Sequence, residues 1–77
     1  MVRITYDPQA DAAYIQVVSR ILPGEATLSI SSITTPGGKG EINLDFDANG
    51  QLLGIEVLFA SDVLPRKVLS EADPPGS

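Results

Sequence analysis

Apolar and polar residues alternate along most of this chain, with the period of two that belongs to strands. Val2-Arg3-Ile4-Thr5-Tyr6 alternates and is rich in β-branched and aromatic residues, so it predicts a first strand. Asp7-Pro8 then gives an N-cap signal, and one helical turn fits before Ala13-Tyr14-Ile15-Gln16-Val17-Val18 resumes the strand pattern. Pro23-Gly24 marks a turn. Ala26, Leu28 and Ile30 alternate with Thr27, Ser29 and Ser31 as a third strand, with the serines, Ser32 included, on its wet side. Residues 35–40, with three glycines, read as a loop.

Two further strands follow. Ile42, Leu44 and Phe46 alternate with Asn43, Asp45 and Asp47, and Leu53, Ile55 and Val57 continue the period beyond Asn49-Gly50. Asn-Gly is the strongest short hairpin signal, because a type I′ turn needs positive φ at both central residues. A two-residue turn there sets Ala48 opposite Gln51 and pairs Phe46 with Leu53, Leu44 with Ile55 and Ile42 with Val57. Asp45 then faces Gly54, whose bare backbone predicts a bulge or the close approach of another group. A three-residue bulged loop would throw the two apolar rows onto opposite faces.

Past Val57, Ser61 or Asp62 offers a cap for a short helix that Pro65 interrupts. Val63, Leu64, Val68 and Leu69 are placed to cover part of a sheet face. Residues 70–77, with Asp73-Pro74-Pro75-Gly76, predict a disordered tail. The expected fold is therefore α+β: a five-stranded antiparallel meander with a one-turn helix after the first strand and a short C-terminal helix. It forms one small β-rich domain over residues 1–69.

Length sharpens this picture. A chain of 77 residues buries only roughly 60% of the surface its unfolded state exposes. With no cysteine to form a disulfide or thiolate metal site, oligomerisation is the usual remaining support. The same composition suits a reducing cytoplasm. No apolar run approaches the roughly 20 residues of a membrane-spanning helix, and no membrane partner is expected. Ten acidic against five basic side chains give a formal charge of −5. That balance works against nucleic acid, which is bound by neutralising phosphates, and favours a small basic protein.

One stretch spells a specific chemistry. Residues 45–56, DFDANGQLLGIE, match the calcium loop of an EF-hand, with Asp45, Asp47 and Asn49 as ligands, Gly50 at the sharp turn and Glu56 as the closing carboxylate. The flanks are wrong for it. Gly37-Gly38-Lys39-Gly40 would cost an entering helix about 1 kcal/mol per glycine, and the would-be loop alternates with strand period. The hairpin organises the apolar pattern, and the calcium loop does not. What remains is a polar face carrying Asn43, Asp45 and Glu56, where weak binding of a divalent cation is the alternative function.

Other catalytic chemistry is thinly represented. Without histidine or cysteine the commonest general base and nucleophile are missing. Asp7 and Asp11 flank a turn and are expected to accept hydrogen bonds from local amides. The hydroxyls of Tyr6 and Tyr14 are expected at the sheet margin. Neither an enzyme nor a cofactor is indicated.

Two phrases nevertheless resemble a known family. ITYDPQADAAYIQV, with Tyr6, Asp7, Ala10, Asp11, Tyr14 and Ile15, and INLDFDANGQLLGIEVLFAS, with Leu44, Asp45, Phe46, Asp47, Asn49, Gly50, Gly54, Ile55, Glu56 and Leu58, resemble the bacterial domain-of-unknown-function family 2283. The resemblance spans nearly residues 2 to 61 and brings no established activity. Members encoded beside small toxin-like proteins imply an antitoxin-like role. From the residues themselves the expectation is a protein-binding module. Its sheet presents Leu28, Ile30, Ile42, Leu44, Phe46, Leu53, Ile55 and Val57 on one apolar face, too large for a short helix to cover, and self-association as a dimer follows.

Overall fold

Strand order departs from chain order at one place, and that place decides which part of the sheet is covered. The computed structural model describes residues 2–76. It contains β1 (Arg3–Asp7), β2 (Ala12–Gln16), β3 (Leu28–Thr34), β4 (Glu41–Phe46) and β5 (Leu52–Leu58), followed by helices α1 (Ala60–Val63) and α2 (Arg66–Glu71). The strands form one sheet in the order β1-β2-β5-β4-β3, and each neighbouring pair is antiparallel. The α+β class and the five antiparallel strands are as expected, but the sheet is not a simple meander. Residues 17–27 carry the chain to the far edge, and β5 returns to lie beside β2.

The burial of the strands accounts for this order. On β5, Leu53, Gly54 and Val57 are buried, as suits a strand paired on both sides. Every residue of β3 is exposed, and its alternate serines suit an edge. Alternation reports which side of a sheet a residue faces, but not which strand lies beside it.

The expected helical turn after β1 is also absent. Residues 8–11 form the tight turn of a β1–β2 hairpin in which Tyr6 pairs with Ala13 and Asp7 with Ala12. The capping signal is used within that turn: Asp7 Oδ1 accepts from the Gln9 amide at 3.0 Å. A 3-10 turn does occur, but after β3, at Pro36–Gly38. There Thr35, itself buried, exchanges hydrogen bonds with the Gly40 backbone. Gly40 is required by close packing, since a Cβ would overlap Val63 and lie 2.6 Å from the Leu58 carbonyl.

The core lies where the helices meet the sheet. Ala13, Val57 and Ala60 are its centre, with Tyr6, Ile15, Ile55, Val63, Leu64 and Leu69 packed around them. Val57 is 1% exposed, and burial of such a side chain is worth about 1.5–3 kcal/mol. Pro65 divides the C-terminal helix in two, and both halves contribute to this cover. The stretch assigned to a tail begins inside α2. Beyond it, Asp73 bridges to Thr5 in parallel, donating to the Ile4 carbonyl and accepting from the Tyr6 amide.

The β4–β5 hairpin keeps the expected register by an unexpected route. Ile42–Val57, Leu44–Ile55 and Asp45–Gly54 pair as anticipated, but Phe46 faces Leu52, not Leu53. Asp47 faces Gln51 in place of Ala48, with Asp47 N to Gln51 O at 3.0 Å. Gly50 N donates to Asp47 O, and Gly50 alone of the central pair has positive φ, so the turn is not type I′. It is a three-residue loop in which a type I turn ends in a left-handed glycine. Its one-residue slip is cancelled by a bulge at Leu52–Leu53, so the apolar rows still share a face.

Gly50→Val should therefore destabilise the protein by about 1–2 kcal/mol, the cost of a left-handed conformation for a residue with a side chain. A Cβ there meets nothing within 4 Å, so the penalty is one of backbone alone. Gly50→Asn should cost much less. Urea denaturation measures both; a valine variant as stable as the parent would contradict the turn.

Candidate functional site

Strand register builds a polar layer on the face away from the helices. Tyr14 lies opposite Glu56 and Glu56 opposite Asn43, while Gly54 sits between Gln16 and Asp45. Tyr14 reaches across the glycine and donates its hydroxyl to Asp45 Oδ2 at 2.9 Å. Any Cβ at Gly54 would overlap the Tyr14 hydroxyl and Cζ, so the bare backbone makes the crossing possible. Burial, followed by the hydrogen bond to the Asp45 carboxylate, pushes the Tyr14 hydroxyl up to about 12. The expected trio of Asn43, Asp45 and Glu56 thus does share a face, joined by a tyrosine whose reach was not legible from sequence. Gly54 was the available signal.

Asn43 has two partners. Its Nδ2 donates to Glu56 Oε1 at 2.8 Å, and its Oδ1 accepts from the Ser32 amide at 2.8 Å. Ser32 is in the left-handed region, with φ of 61°, at a break in β3–β4 pairing between Ile30 and Ile33. The amide side chain thereby holds a bulge in the edge strand.

Asp7 and Asp11 stand apart from this layer. Asp11 (φ 49°) accepts from the Tyr6 hydroxyl at 2.8 Å, the Ser61 amide at 2.9 Å and the Ser61 hydroxyl at 2.7 Å. Its carbonyl accepts from the Ala60 amide at 2.9 Å. Neither Ser61 nor Asp62 caps α1; Asp11 serves its first amides from the other end of the chain, while Phe59 occupies the cap position in a left-handed conformation. Hydrogen bonds from Ser61, then from Tyr6, hold the Asp11 carboxyl below the usual carboxylate value. The same bond raises the Tyr6 hydroxyl.

The residues that spell a calcium loop are dispersed by the strands. Asp45 is engaged by Tyr14 and Glu56 by Asn43. Asp47 Oδ1 accepts the amides of Asn49 and Gln51 within the turn. Among the described residues no three His, Cys, Asp or Glu side chains are grouped to hold a metal ion.

The apolar face is divided. Leu53 and Val57, at 2% and 1% exposure, are taken up by the interior, and Ile55 packs against the core. Leu28 and Ile30, both 53% exposed, and Ile33, 38% exposed, line β3 beside Phe46, Leu44 and Ile42 of β4. Ile33 belongs to this strip although the alternation breaks after Ile30, because the bulge returns it to the same side.

A family model described as "Protein of unknown function (DUF2283)" matches residues 3–61. No curated protein and no solved structure matches the chain. Among the described residues no helix is long and apolar enough to cross a membrane.

Stability should depend on pH through both clusters. Asp11 has a lowered folded value, so its contribution is complete above the ordinary 3.8 and disappears as pH falls through the folded value. Asp11→Asn should make the acid limb shallower. Tyr14 has a raised value, so stability falls as pH climbs from 10.0 towards about 12. Tyr14→Phe should remove that part of the alkaline limb. Thermal midpoints across pH measure both, and unchanged limbs would contradict the assignments. Calorimetric titration with calcium should show no micromolar site; a site lost in Glu56→Gln would restore the calcium-loop reading.

Proposed function

We propose that this chain, which belongs to the DUF2283 family of proteins of unknown function, is a protein-binding module and not an enzyme, and that it self-associates through the apolar side of β3 and β4. The observation that carries the reading is the exposed strip of Leu28, Ile30 and Ile33 on an edge strand, continuous with Ile42, Leu44 and Phe46. Helices α1 and α2 cover the β1–β2–β5 part of the same face, around Ala13 and Val57. Each large aliphatic side chain removed from water contributes about 1.5–3 kcal/mol.

A second copy is the occupant that suits the strip. None of these six residues is charged, and Glu41 and Asp45 of β4 point to the opposite face. Two chains of formal charge −5 can therefore meet here while keeping their carboxylates in water. A small basic protein would be drawn to the acidic polar face, where the strip has no part in recognition. A standard interface takes about 800 Å² from each partner, roughly one-sixth of the 5152 Å² surface. Two of five strands on one face of a 32 × 27 × 19 Å molecule offer less than half of that, so the strip is the centre of such an interface and not its whole. Twofold closure is the commonest solution.

Sedimentation equilibrium at tens of micromolar should give about twice the 8.1 kDa chain mass. Ile30→Asp, at an exposed position, should return the mass to that of one chain with an unchanged circular dichroism spectrum. Leu44→Asp should in addition lower stability, since Leu44 is half-buried already. A wild-type protein at one chain mass over the whole concentration range would overturn the proposal.

A further inference from the structure

Self-association of a sheet protein can proceed through its faces or its edges, and here both edges carry an obstruction. At one edge β1 has its outer side engaged by the C-terminal segment. Asp73 donates to the Ile4 carbonyl and accepts from the Tyr6 amide, and its carboxylate lies 3.6 Å from Arg3 Nε. At the other edge, among the described residues, no strand pairs with the outer side of β3. That strand has a seven-residue span, is exposed throughout and carries apolar side chains. Such an edge is a template for pairing with another chain unless something interrupts it.

The interruption is Ser32. Between the paired residues Ile30 and Ile33 the register shifts, and Ser32 turns left-handed with φ of 61°. Its amide is turned to the Asn43 side chain, which is itself fixed by Glu56. Without the inserted residue the strand would read Leu-Ser-Ile-Ser-Ile-Thr, an unbroken alternation with its three aliphatic residues on one side. That is the flat, regular, uncharged edge most prone to extension. The insertion leaves the apolar strip on the same face, so its local consequence is to break the edge ladder.

We infer that the chain associates face to face, a second copy resting on the β3–β4 strip, and that the Ser32 bulge held by Asn43 closes the outer edge of β3 against sheet-to-sheet extension. The face-to-face geometry rests on the self-association proposed above. The edge guard does not. Asn43 and Glu56 thereby acquire a role as positioning residues for the bulge.

Small-angle scattering and sedimentation of the full chain, wild type and with Ser32 deleted, test the two parts. Face-to-face pairing stacks two sheets about 10 Å apart, whereas edge pairing makes ten strands into one sheet on the order of 45 Å wide. The wild-type dimer should scatter as the compact stack. Deletion of Ser32 should yield species larger than the dimer, growing with concentration. Asn43→Ala, which frees the Ser32 amide without changing chain length, should shift in the same direction and serves if the deletion fails to fold. A wild-type dimer as wide as the single sheet would overturn the face-to-face geometry. Folded variants that keep the wild-type mass would overturn the edge guard. A wild-type protein of one chain mass would remove the self-association reading, while larger species in the variants would still uphold the guard.

Discussion

The carboxylate of Asp11 fastens the two ends of this chain together, and the rest of the architecture follows from where it sits. It receives the amide and hydroxyl of Ser61 and the hydroxyl of Tyr6, while its carbonyl receives the Ala60 amide. The start of α1 is thus anchored at the β1–β2 turn. From that anchor the two short helices close the core with Ala13, Val57 and Ala60, and Val63 reaches Gly40, just before β4. A four-residue and a six-residue helix cannot extend to β3. The exposed row of Leu28, Ile30 and Ile33 on β3, flanked by the half-buried β4, is a direct consequence of short helices tethered at one side.

The opposite face is organised by a second set of polar contacts, and these too are structural in effect. Tyr14 crosses Gly54 to Asp45, joining β2 to β4 over the top of β5. Asn43 links β5 to the irregularity in β3. Most of the hydrogen-bonding side chains here belong to the two sequence phrases that resemble the family. In this fold they hold the hairpins to one another.

Much of this was legible from the residues. Period-two alternation located the strands, and the requirement that Ile42, Leu44, Ile55 and Val57 share a face gave the correct central register. The turn was misread because two solutions satisfy that requirement. A type I′ turn does so directly, and a three-residue loop does so when a bulge at Leu52–Leu53 removes its slip. Strand order was hidden because β2 and β5 come from distant parts of the chain and nothing in either pattern names its neighbour. The Asp11–Ser61 contact, between residues 50 apart, was hidden for the same reason: an aspartate beside a turn looks like a local cap. Gly54 was the informative exception, since a glycine inside a strand signals close approach, and Tyr14 supplies it.

The central claim is that the β3–β4 strip meets its counterpart on a second chain. Isotope-filtered nuclear Overhauser spectroscopy on a mixture of labelled and unlabelled protein reads that contact directly. Methyl groups of Ile30, Ile33 and Leu44 on labelled chains should show cross-peaks to methyl groups of the same strip on unlabelled chains. Absence of any intermolecular cross-peak in a sample concentrated enough to associate, or cross-peaks confined to α2 and the β1 edge, would contradict the account.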